Sequence, residues 1–416
     1  MQLAKATAPG LAVPANVEKS FAVTQATWRF LANNRVTPSD LVEPLRHFAK
    51  QQLVDVNYAL AVVDWSKLDY KKHVAKKDVT QISNKKDIGY ELTTQLLVDT
   101  RNGRPVAPVQ MHLKTADGLL STTKDTTETV HHLEQVLPLM RGVGEMNLSA
   151  TIIHVIDREA DSVFHLRQWN AAGFLYLVRG DDDRIVRWRG KQTKCLKIKA
   201  QLEAEGAFNQ CRKVTIKGKP GIQYIAETEI ILDRPAKRKV DGRSVFVPGD
   251  PLTLRLVMAK VVDPVTGKEL STWYLLTNVP AEVSSSTVAL WYYWRWDIES
   301  YFKLMKSGGQ ELEHWQQESG LAILKRLLVA SMACAVVWSL SRDESEESQT
   351  FQTVLVRLSG KRLQRGRSPT PGVLLSGLFV LLRIFDFLDH INFDLSQIAY
   401  LKTALGNLVP GLLKDV

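Results

Sequence analysis

The sequence is poor in cysteine, and its three cysteines show no paired spacing. Cys195, Cys211 and Cys334 form no Cys-x-x-Cys motif, and an odd number cannot be fully paired. Zinc ribbons and disulfide frameworks depend on regular cysteine spacing, so neither is expected here. Unpaired thiols are typical of a reducing compartment.

Long apolar runs are also missing. The first fifteen residues, MQLAKATAPGLAVPA, lack the apolar core of a signal peptide. The longest uncharged apolar run, residues 327–340, is too short to cross a bilayer and predicts a buried helix. A basic amphipathic helix suited to a membrane surface is absent as well. We expect a soluble, intracellular protein without a membrane partner.

Acidic residues are outnumbered by basic ones. The 416 residues contain 54 Lys and Arg against 44 Asp and Glu, which gives a net charge of +10. Residues 184–219 hold eleven cations and two acids, a surplus of nine. A positive surplus favours a polyanionic partner such as nucleic acid, and phosphate contacts of this kind give affinity without sequence choice.

The first part of the chain is predicted to be helical and the second to contain a sheet. Residues 1–57 form a helical N-terminal region, with Thr37 as N-cap and Pro38 opening a helix to about Lys50. This region would be a DNA-binding head or a bundle that covers a sheet edge. Residues 58–180 follow the order β-β-β-α-β-α-β, which predicts an α/β fold with a mixed sheet flanked by helices. The predicted elements are strands 58–63, 89–98 and 106–113, with an Asn102-Gly103 turn, helix 126–141, strand 151–156, a helix to about residue 169, and strand 174–178.

The remaining chain divides into three predicted segments. Residues 181–286 form a β-rich insertion with short strands at 214–216, 224–232, Leu252–Val262 and 272–276. Residues 287–340 return to helix, at 287–306 and 320–339. Residues 341–416 form a helical C-terminal region that would assist dimerisation, with exposed connections at 343–348 and 366–371 and a last helix at 372–388.

Two aspartates follow predicted strands. Asp64 ends the run ALAVVD, and Asp157 ends TIIHVID and begins the run DREAD at residues 157–161. Strand ends hold active-site groups rigidly while leaving them accessible. Oxygen ligands of this type suit Mg²⁺ or Mn²⁺. The alternative is that each aspartate is a helix cap or turn residue.

A cluster of functional side chains occurs in the predicted helix 287–306. Tyr292, Arg295, Glu299 and Lys306 would share one stripe, within roughly 60° at about 3.6 residues per turn. Glu299 would ligate metal, while Tyr292, Arg295 and Lys306 would contact DNA phosphate, with the two cations neutralising its oxygens. An ordinary salt-bridged helix face is the alternative, because Arg295 and Glu299 are four residues apart.

In this order, Asp64, the DREAD run and the Tyr-x2-Arg-x3-Glu-x6-Lys signature resemble the bacterial DDE transposases of the insertion-sequence-four family. The resemblance covers residues 58–340 and implies a ribonuclease-H-like core interrupted by a β-rich insertion. Family members usually carry threonines directly after the first aspartate, whereas this chain has Trp65 and Ser66.

The resemblance implies an enzyme and its partners. Asp64, Asp157 and Glu299 would be the catalytic metal ligands, holding two Mg²⁺ ions, or Mn²⁺, per active site. The enzyme would nick double-stranded DNA at transposon ends and join the freed 3′-OH to target DNA. It would act in the bacterial cytoplasm, associated with the nucleoid, as a homodimer on DNA.

The resemblance also points to DNA contacts in the insertion. A basic cluster would be formed by Arg234, Lys237, Arg238 and Lys239, and Trp273 would stack on an extruded base. The alternative for the basic cluster is a solvated loop. The alternative for Trp273 is a residue in the core of a strand.

Two other functions fit the same residues. A metal-dependent nuclease without strand transfer would have the same acidic site. A non-catalytic DNA-binding protein derived from a transposase would have no need for all three acids.

Overall fold

The computed structural model describes residues 20–123, 131–216, 218–240, 243–306, 310–362 and 368–390. Short 3₁₀ helices cover His132–Gln135, Arg158–Ala160 and Leu312–His314. The helices are α1 (Ser20–Ala32), α2 (Pro38–Gln52), α3 (Val136–Gly144), α4 (Val163–Ala171), α5 (Cys195–Ala204), α6 (Ser285–Trp294), α7 (Trp296–Lys306), α8 (Gly320–Arg342), α9 (Glu346–Leu358) and α10 (Pro371–His390). The strands are β1 (Tyr58–Asp69), β2 (Thr80–Gln81), β3 (Ile88–Asp99), β4 (Arg104–Thr115), β5 (Gly118–Ser121), β6 (Thr151–Ile156), β7 (Leu175–Gly180), β8 (Ile185–Trp188), β9 (Lys191–Lys194), β10 (Asn209–Ile216), β11 (Lys219–Leu232), β12 (Ala236–Val240), β13 (Arg243–Val247), β14 (Leu252–Val262) and β15 (Glu269–Thr277).

Strand β1 lies in the middle of the first half of a mixed sheet. It pairs antiparallel with β3, which pairs antiparallel with β4. On its other side β1 pairs parallel with β6, and β6 pairs parallel with β7. The apolar residues 59–63 are all fully buried, as expected for a strand covered on both faces. The prediction of an α/β fold with a mixed sheet flanked by helices is therefore confirmed.

The β-rich insertion continues this sheet. The order beyond β7 is β15-β14-β11-β8-β9, with β10 paired to β11, and the described sheet has 13 strands in total. Only β12 and β13 form a separate two-stranded ribbon in the described chain. Strand Leu252–Val262 is confirmed at its predicted bounds. Helix α5 was not predicted, because residues 195–204 have only a weak apolar periodicity.

Helices cover both faces of the sheet. Consecutive residues of a strand, such as Val62 and Val63, face opposite sides of the sheet and belong to two different buried clusters. Helices α2, α6, α7, α8 and α10 contribute to the first cluster, and α3, α4 and α5 contribute to the second. The first strands are therefore enclosed between two helical layers.

The start of α2 confirms the predicted N-cap. The Thr37 hydroxyl accepts the Asp40 N–H at 3.2 Å, and the Asp40 carboxylate accepts the Thr37 N–H at 2.9 Å. This reciprocal pair satisfies two donors that the helix itself leaves unpaired. The hairpin turn at Gly103 is confirmed too, with a positive φ of 70°.

Several predicted bounds were wrong. Helix 126–141 begins only at Val136, after a 3₁₀ turn, and residues 124–130 lie outside the described chain. Helix α9 begins at Glu346, inside the predicted connection 343–348. Helix α10 packs against α9 and α8. The predicted dimer contact remains a prediction.

Helix α8 is longer than predicted. At 23 residues, the helix is long and apolar enough to cross a membrane, but 72% of its most apolar 18-residue stretch is buried inside the fold. The uncharged run 327–340 lies within this longer helix, and the expectation of a buried helix is confirmed.

Candidate active site

The register of the sheet brings Asp64 and Asp157 together. Val63 pairs with Ile156 as the last parallel pair of β1 and β6, so the two aspartates are the next residues of their strands. Asp64 was predicted to end its strand, but β1 continues to Asp69 because β3 still pairs with it beyond this point. Asp157 does end β6, as predicted.

Asp157 is also a cap. Its Oδ1 accepts the N–H of Glu159 at 2.8 Å and begins the 3₁₀ turn that follows β6. The capping interpretation therefore holds for one oxygen of this side chain. A carboxylate fixed in this way keeps a defined orientation at the end of the strand.

The predicted continuous helix 287–306 is broken at Arg295. Helix α6 ends at Trp294 and α7 begins at Trp296. The Arg295 N–H reaches the carbonyl of Tyr292 at 3.2 Å, a tighter turn than in an α-helix. The prediction of one continuous helix was therefore wrong, although Arg295 still contacts Glu299 and lies 5.8 Å from the Tyr292 ring.

A single guanidinium joins two of the predicted acids. Nη1 of Arg295 donates to Oδ2 of Asp64 at 2.8 Å, and Nη2 donates to Oε1 of Glu299 at 2.9 Å. Arg295 is only 8% exposed, so these bonds are shielded from solvent. The turn between α6 and α7 thus brings Glu299 to the Asp64 side of the sheet.

Burial and charge shape the electrostatics of the site. Burial raises the pKa of Asp64 to about 6, although Arg295 lowers it. Asp157 and Glu299 make smaller contributions to the same rise, so all three acids lie within electrostatic range. Burial lowers the pKa of Arg295, but Tyr292 and the three acids outweigh this effect and the net shift is upward.

The donor set suits a hard divalent cation, but a guanidinium lies between the donors. Carboxylate oxygens are the ligands that Mg²⁺ and Mn²⁺ prefer. In the part of the chain that the structure describes, no three His, Cys, Asp or Glu side chains form a ready-made metal cluster. Asp64 and Glu299 instead share one cation, the Arg295 side chain. The residues therefore fit a metal by their chemistry, with Arg295 in the position between them.

Tyr292 and Trp273 were predicted to contact DNA, but both are buried. Tyr292 is 3% exposed and Trp273 is 6% exposed, and their ring centroids lie 5.3 Å apart. Burial also raises the pKa of Tyr292. Trp273 lies on β15 in the core, because alternate residues of this strand face the α6 helix. In this structure both rings therefore pack in the core, and their contact with DNA stays a prediction.

Lys306 and the basic run lie at the periphery. Lys306 donates to the backbone carbonyl of Lys67 and lies 3.3 Å from Glu313. Arg234 and Lys237 are exposed. Arg234 precedes strand β12, whereas residues 237–239 lie in it rather than in a loop. The side chains of Arg238 and Lys239 lie outside the described part of the chain.

The basic stretch 184–219 is partly neutralised by the fold. Acids from elsewhere in the chain pair with several of its cations, so the local surplus overstates the free positive charge. The pairs are Arg184–Asp161, Arg187–Asp233, Lys194–Asp183 and Lys199–Glu269.

An aromatic pair beside the site was not predicted. The ring of Trp65, next to Asp64, lies 5.0 Å from the ring of His132. Nε2 of His132 in turn lies 3.4 Å from Oε2 of Glu159, which is two residues after Asp157. Burial lowers the pKa of His132 to about 4. His132 follows the undescribed segment 124–130, and nothing in its sequence neighbourhood indicates this position.

No family model matches the chain. The structure is similar to the cryo-EM structure of a piggyBac transposase synaptic complex with hairpin DNA, at 11% identity, 95% coverage of this chain and a TM-score of 0.35. It is also similar to a Drosophila P element transposase strand transfer complex, at 9% identity and a TM-score of 0.19. That match covers 91% of this chain and 74% of the P element chain. The chain spans 66% of the length of the piggyBac transposase that it matches.

Proposed function

We propose that the protein is a DDE-type DNA transposase whose active site is formed by Asp64, Asp157 and Glu299. One observation carries this proposal. Arg295 binds Asp64 and Glu299 together at 2.8 and 2.9 Å, and the sheet register places Asp157 beside Asp64. Acids that are remote in sequence and costly to bury together are rarely assembled without a function.

The strand order supports a ribonuclease-H-like core. Three antiparallel strands, β1, β3 and β4, lie on one side, and β6 and β7 continue the sheet parallel to β1. The insertion between β7 and α6 separates Asp157 from Glu299 along the chain, and the turn between α6 and α7 joins Glu299 to Asp64 through Arg295. This is the arrangement that the resemblance to the insertion-sequence-four family implies.

Together, Asp64, Asp157 and Glu299 would hold two Mg²⁺ ions, with Mn²⁺ as a substitute. When bound, such ions supply Lewis-acid stabilisation of charge at phosphorus and a more acidic attacking hydroxyl. Asp157 is oriented for this task by the Glu159 N–H, and Asp64 by the Trp65 N–H at 2.8 Å. Arg295 would turn from the carboxylates to a phosphate oxygen, where its planar guanidinium offers two donors.

The proposed reaction has two steps. Water attacks a phosphodiester at the transposon end, the P–O3′ bond breaks, and the products are a 3′-OH and a 5′-phosphate. The 3′-OH then attacks a phosphodiester of target DNA, a new P–O bond forms, and the displaced 3′-oxygen of the target takes up a proton. No covalent protein–DNA intermediate is required.

The proposed partners are the two transposon ends and target DNA. The net charge of +10 and the exposed Arg234 and Lys237 support a phosphate-binding surface. Two ends must be cut in one event, so we propose that a homodimer forms on DNA.

The test is cleavage of a duplex that contains the terminal inverted repeat flanking the coding region, in the presence of Mg²⁺. We expect the wild-type protein to nick and join DNA, and D157A to bind the duplex without nicking. D117A, which removes an exposed carboxylate from the β4–β5 turn, is the matched control and should cut normally.

The outcomes separate the alternatives. Nicking without joining would favour a nuclease. Binding without any nicking by the wild type would favour a non-catalytic DNA-binding protein. Normal nicking by D157A would contradict the proposed site.

A further inference from the structure

The position between two acids of the active site is taken by a side chain of the protein itself. The Arg295 guanidinium contacts Oδ2 of Asp64 with one nitrogen and Oε1 of Glu299 with the other. Its side chain is 10% exposed, and those of Asp64 and Glu299 are 14% and 40% exposed. This is where a divalent cation shared by the same oxygens would also lie.

We infer that Arg295 is a built-in counter-ion that holds the acidic site together before metal binds and is displaced when metal enters. The inference rests on the proposed metal-dependent function. It assigns Arg295 a positioning role that is separate from contact with phosphate.

The need for a counter-ion follows from the burial of the acids. Two carboxylates that approach each other at the edge of a low-dielectric core repel, and the repulsion grows as water is excluded. The planar fork of a guanidinium can serve both carboxylates at once, which the point charge of a lysine cannot do equally well. In the absence of metal, Arg295 therefore offsets the repulsion between the two carboxylates, as a divalent ion would when bound.

The structure also supplies a destination for the displaced side chain. The guanidinium carbon lies 5.6 Å from the ring of Trp296, which is 48% exposed. Nε of Arg295 is buried and has no hydrogen-bond partner among the described residues. Arg295 itself lies in the turn between α6 and α7, outside either helix. A rotation toward Trp296 and the adjacent solvent would keep a cation–π contact and give Nε access to a new acceptor.

Displacement makes the two cations competitors. A guanidinium and a divalent ion cannot both occupy the space between the same oxygens, so each must weaken the binding of the other. By linkage, the loss of Arg295 should increase metal affinity, and couplings of this kind are typically about 5–150-fold.

The experiment compares R295Q with the wild type, using the full chain and Mn²⁺ as the probe. Calorimetric titration gives the Mn²⁺ affinity, and thermal unfolding is measured without metal and at saturating Mn²⁺. We expect R295Q to bind Mn²⁺ about tenfold more tightly than the wild type. We also expect R295Q to melt at a lower temperature without metal and to regain most of this loss with Mn²⁺.

Two further variants control for charge and folding. R189Q removes an exposed arginine from another Arg–Glu pair, Arg189–Glu205, and should change neither the Mn²⁺ affinity nor the response to Mn²⁺. R295K keeps a cation that serves one carboxylate at a time, and its Mn²⁺ affinity should lie between those of the wild type and R295Q. It also provides the comparison if R295Q does not fold.

The outcomes distinguish this inference from the proposed function. Equal Mn²⁺ affinities in the wild type, R295K and R295Q would overturn the counter-ion role while leaving the metal site intact. If Mn²⁺ does not reduce the loss in melting temperature of R295Q, Arg295 has a purely structural role. That result would also overturn the counter-ion role. If neither the wild type nor the two Arg295 variants bind Mn²⁺, the metal site and the inference both fail.

Discussion

Arg295 donates a hydrogen bond to Asp64 at 2.8 Å although 231 positions separate the two residues along the chain. The contact joins the strand that begins the sheet to the turn between two helices that follow the insertion. After the insertion, the chain comes back into contact with β1, and the acidic site depends on this contact.

Asp157 and Asp161 belong to the same run but should behave oppositely when changed. Oδ2 of Asp161 accepts two hydrogen bonds, from the Asp181 N–H at 2.8 Å and from Nε–H of Arg184 at 3.1 Å. D161N should therefore lower the free energy of unfolding by about 2–3 kcal/mol, because charged hydrogen bonds of a buried carboxylate are lost. Denaturant unfolding gives this value.

Metal titration completes that comparison. D161N should bind Mn²⁺ as the wild type does, whereas D157N should lose Mn²⁺ affinity with little change in stability. The assignment of roles within the run would be wrong if D161N lost Mn²⁺ binding while remaining as stable as the wild type.

The contact between Tyr301 and Ser331 supports the Glu299 helix. The Ser331 hydroxyl donates to the Leu327 carbonyl at 2.7 Å, so the Tyr301 hydroxyl donates to Ser331 Oγ at 2.9 Å. Both side chains are fully buried between α7 and α8. Y301F should reduce the free energy of unfolding by about 1 kcal/mol, the typical net value of such a bond.

Y293F is the matched control for Y301F. The Tyr293 hydroxyl donates at 3.2 Å to the Thr215 carbonyl near the surface, and its loss should have a smaller effect. Denaturant unfolding of both variants is the measurement, and equal losses would contradict the role of the buried bond.

Gly103 should tolerate no side chain. Its φ of +70° is unfavourable for other residues, and an added Cβ would lie 2.1 Å from the ring of Trp294. G103A should destabilise the fold by about 2–4 kcal/mol. In G190A, with φ of +78° and open space around the added atom, only backbone strain of about 1 kcal/mol is expected. Thermal melts of the two variants test the difference, and similar losses would argue against a close contact with Trp294.

His154 should make the protein sensitive to acid. Burial lowers the pKa of His154 to about 3, well below the value of about 6.5 in an unfolded chain. Protonation therefore favours the unfolded state, so this destabilisation is absent above about pH 6.5 and grows as the pH falls toward 3. Between pH 6.5 and pH 4.5 it should reach about 2 kcal/mol.

The measurement is the slope of unfolding free energy against pH. H154Q should show a shallower slope over this range than the wild type, whatever its stability at neutral pH. H314Q, which changes a largely exposed histidine, should keep the wild-type slope. An unchanged slope in H154Q would show that His154 takes no part in acid sensitivity.

Trp273 should act through packing. W273F should lower the free energy of unfolding by about 1–2 kcal/mol, because a buried ring that contacts Tyr292 becomes smaller. DNA affinity, measured at a temperature where both proteins are folded, should not change. Reduced DNA affinity at unchanged stability would restore the stacking interpretation.

The sequence predicted the parts of the fold that depend on local patterns. The capping box at Thr37, the turn at Gly103 and strand Leu252–Val262 all follow from spacing over a few residues. Local patterns did not predict the break at Arg295, because the residues around it read as one continuous helix. They also did not indicate that Trp273 is buried, since an exposed and a buried aromatic residue have the same local pattern within a strand.

By itself, the sequence determined the α/β alternation, the positive charge and the residue types at positions 64, 157 and 299. Only the tertiary structure decided that β3 extends β1 past Asp64 and that Arg295 lies between Asp64 and Glu299. The physical reason is that secondary structure depends on neighbouring residues, whereas the contacts of a buried charge depend on which distant segments exclude water around it.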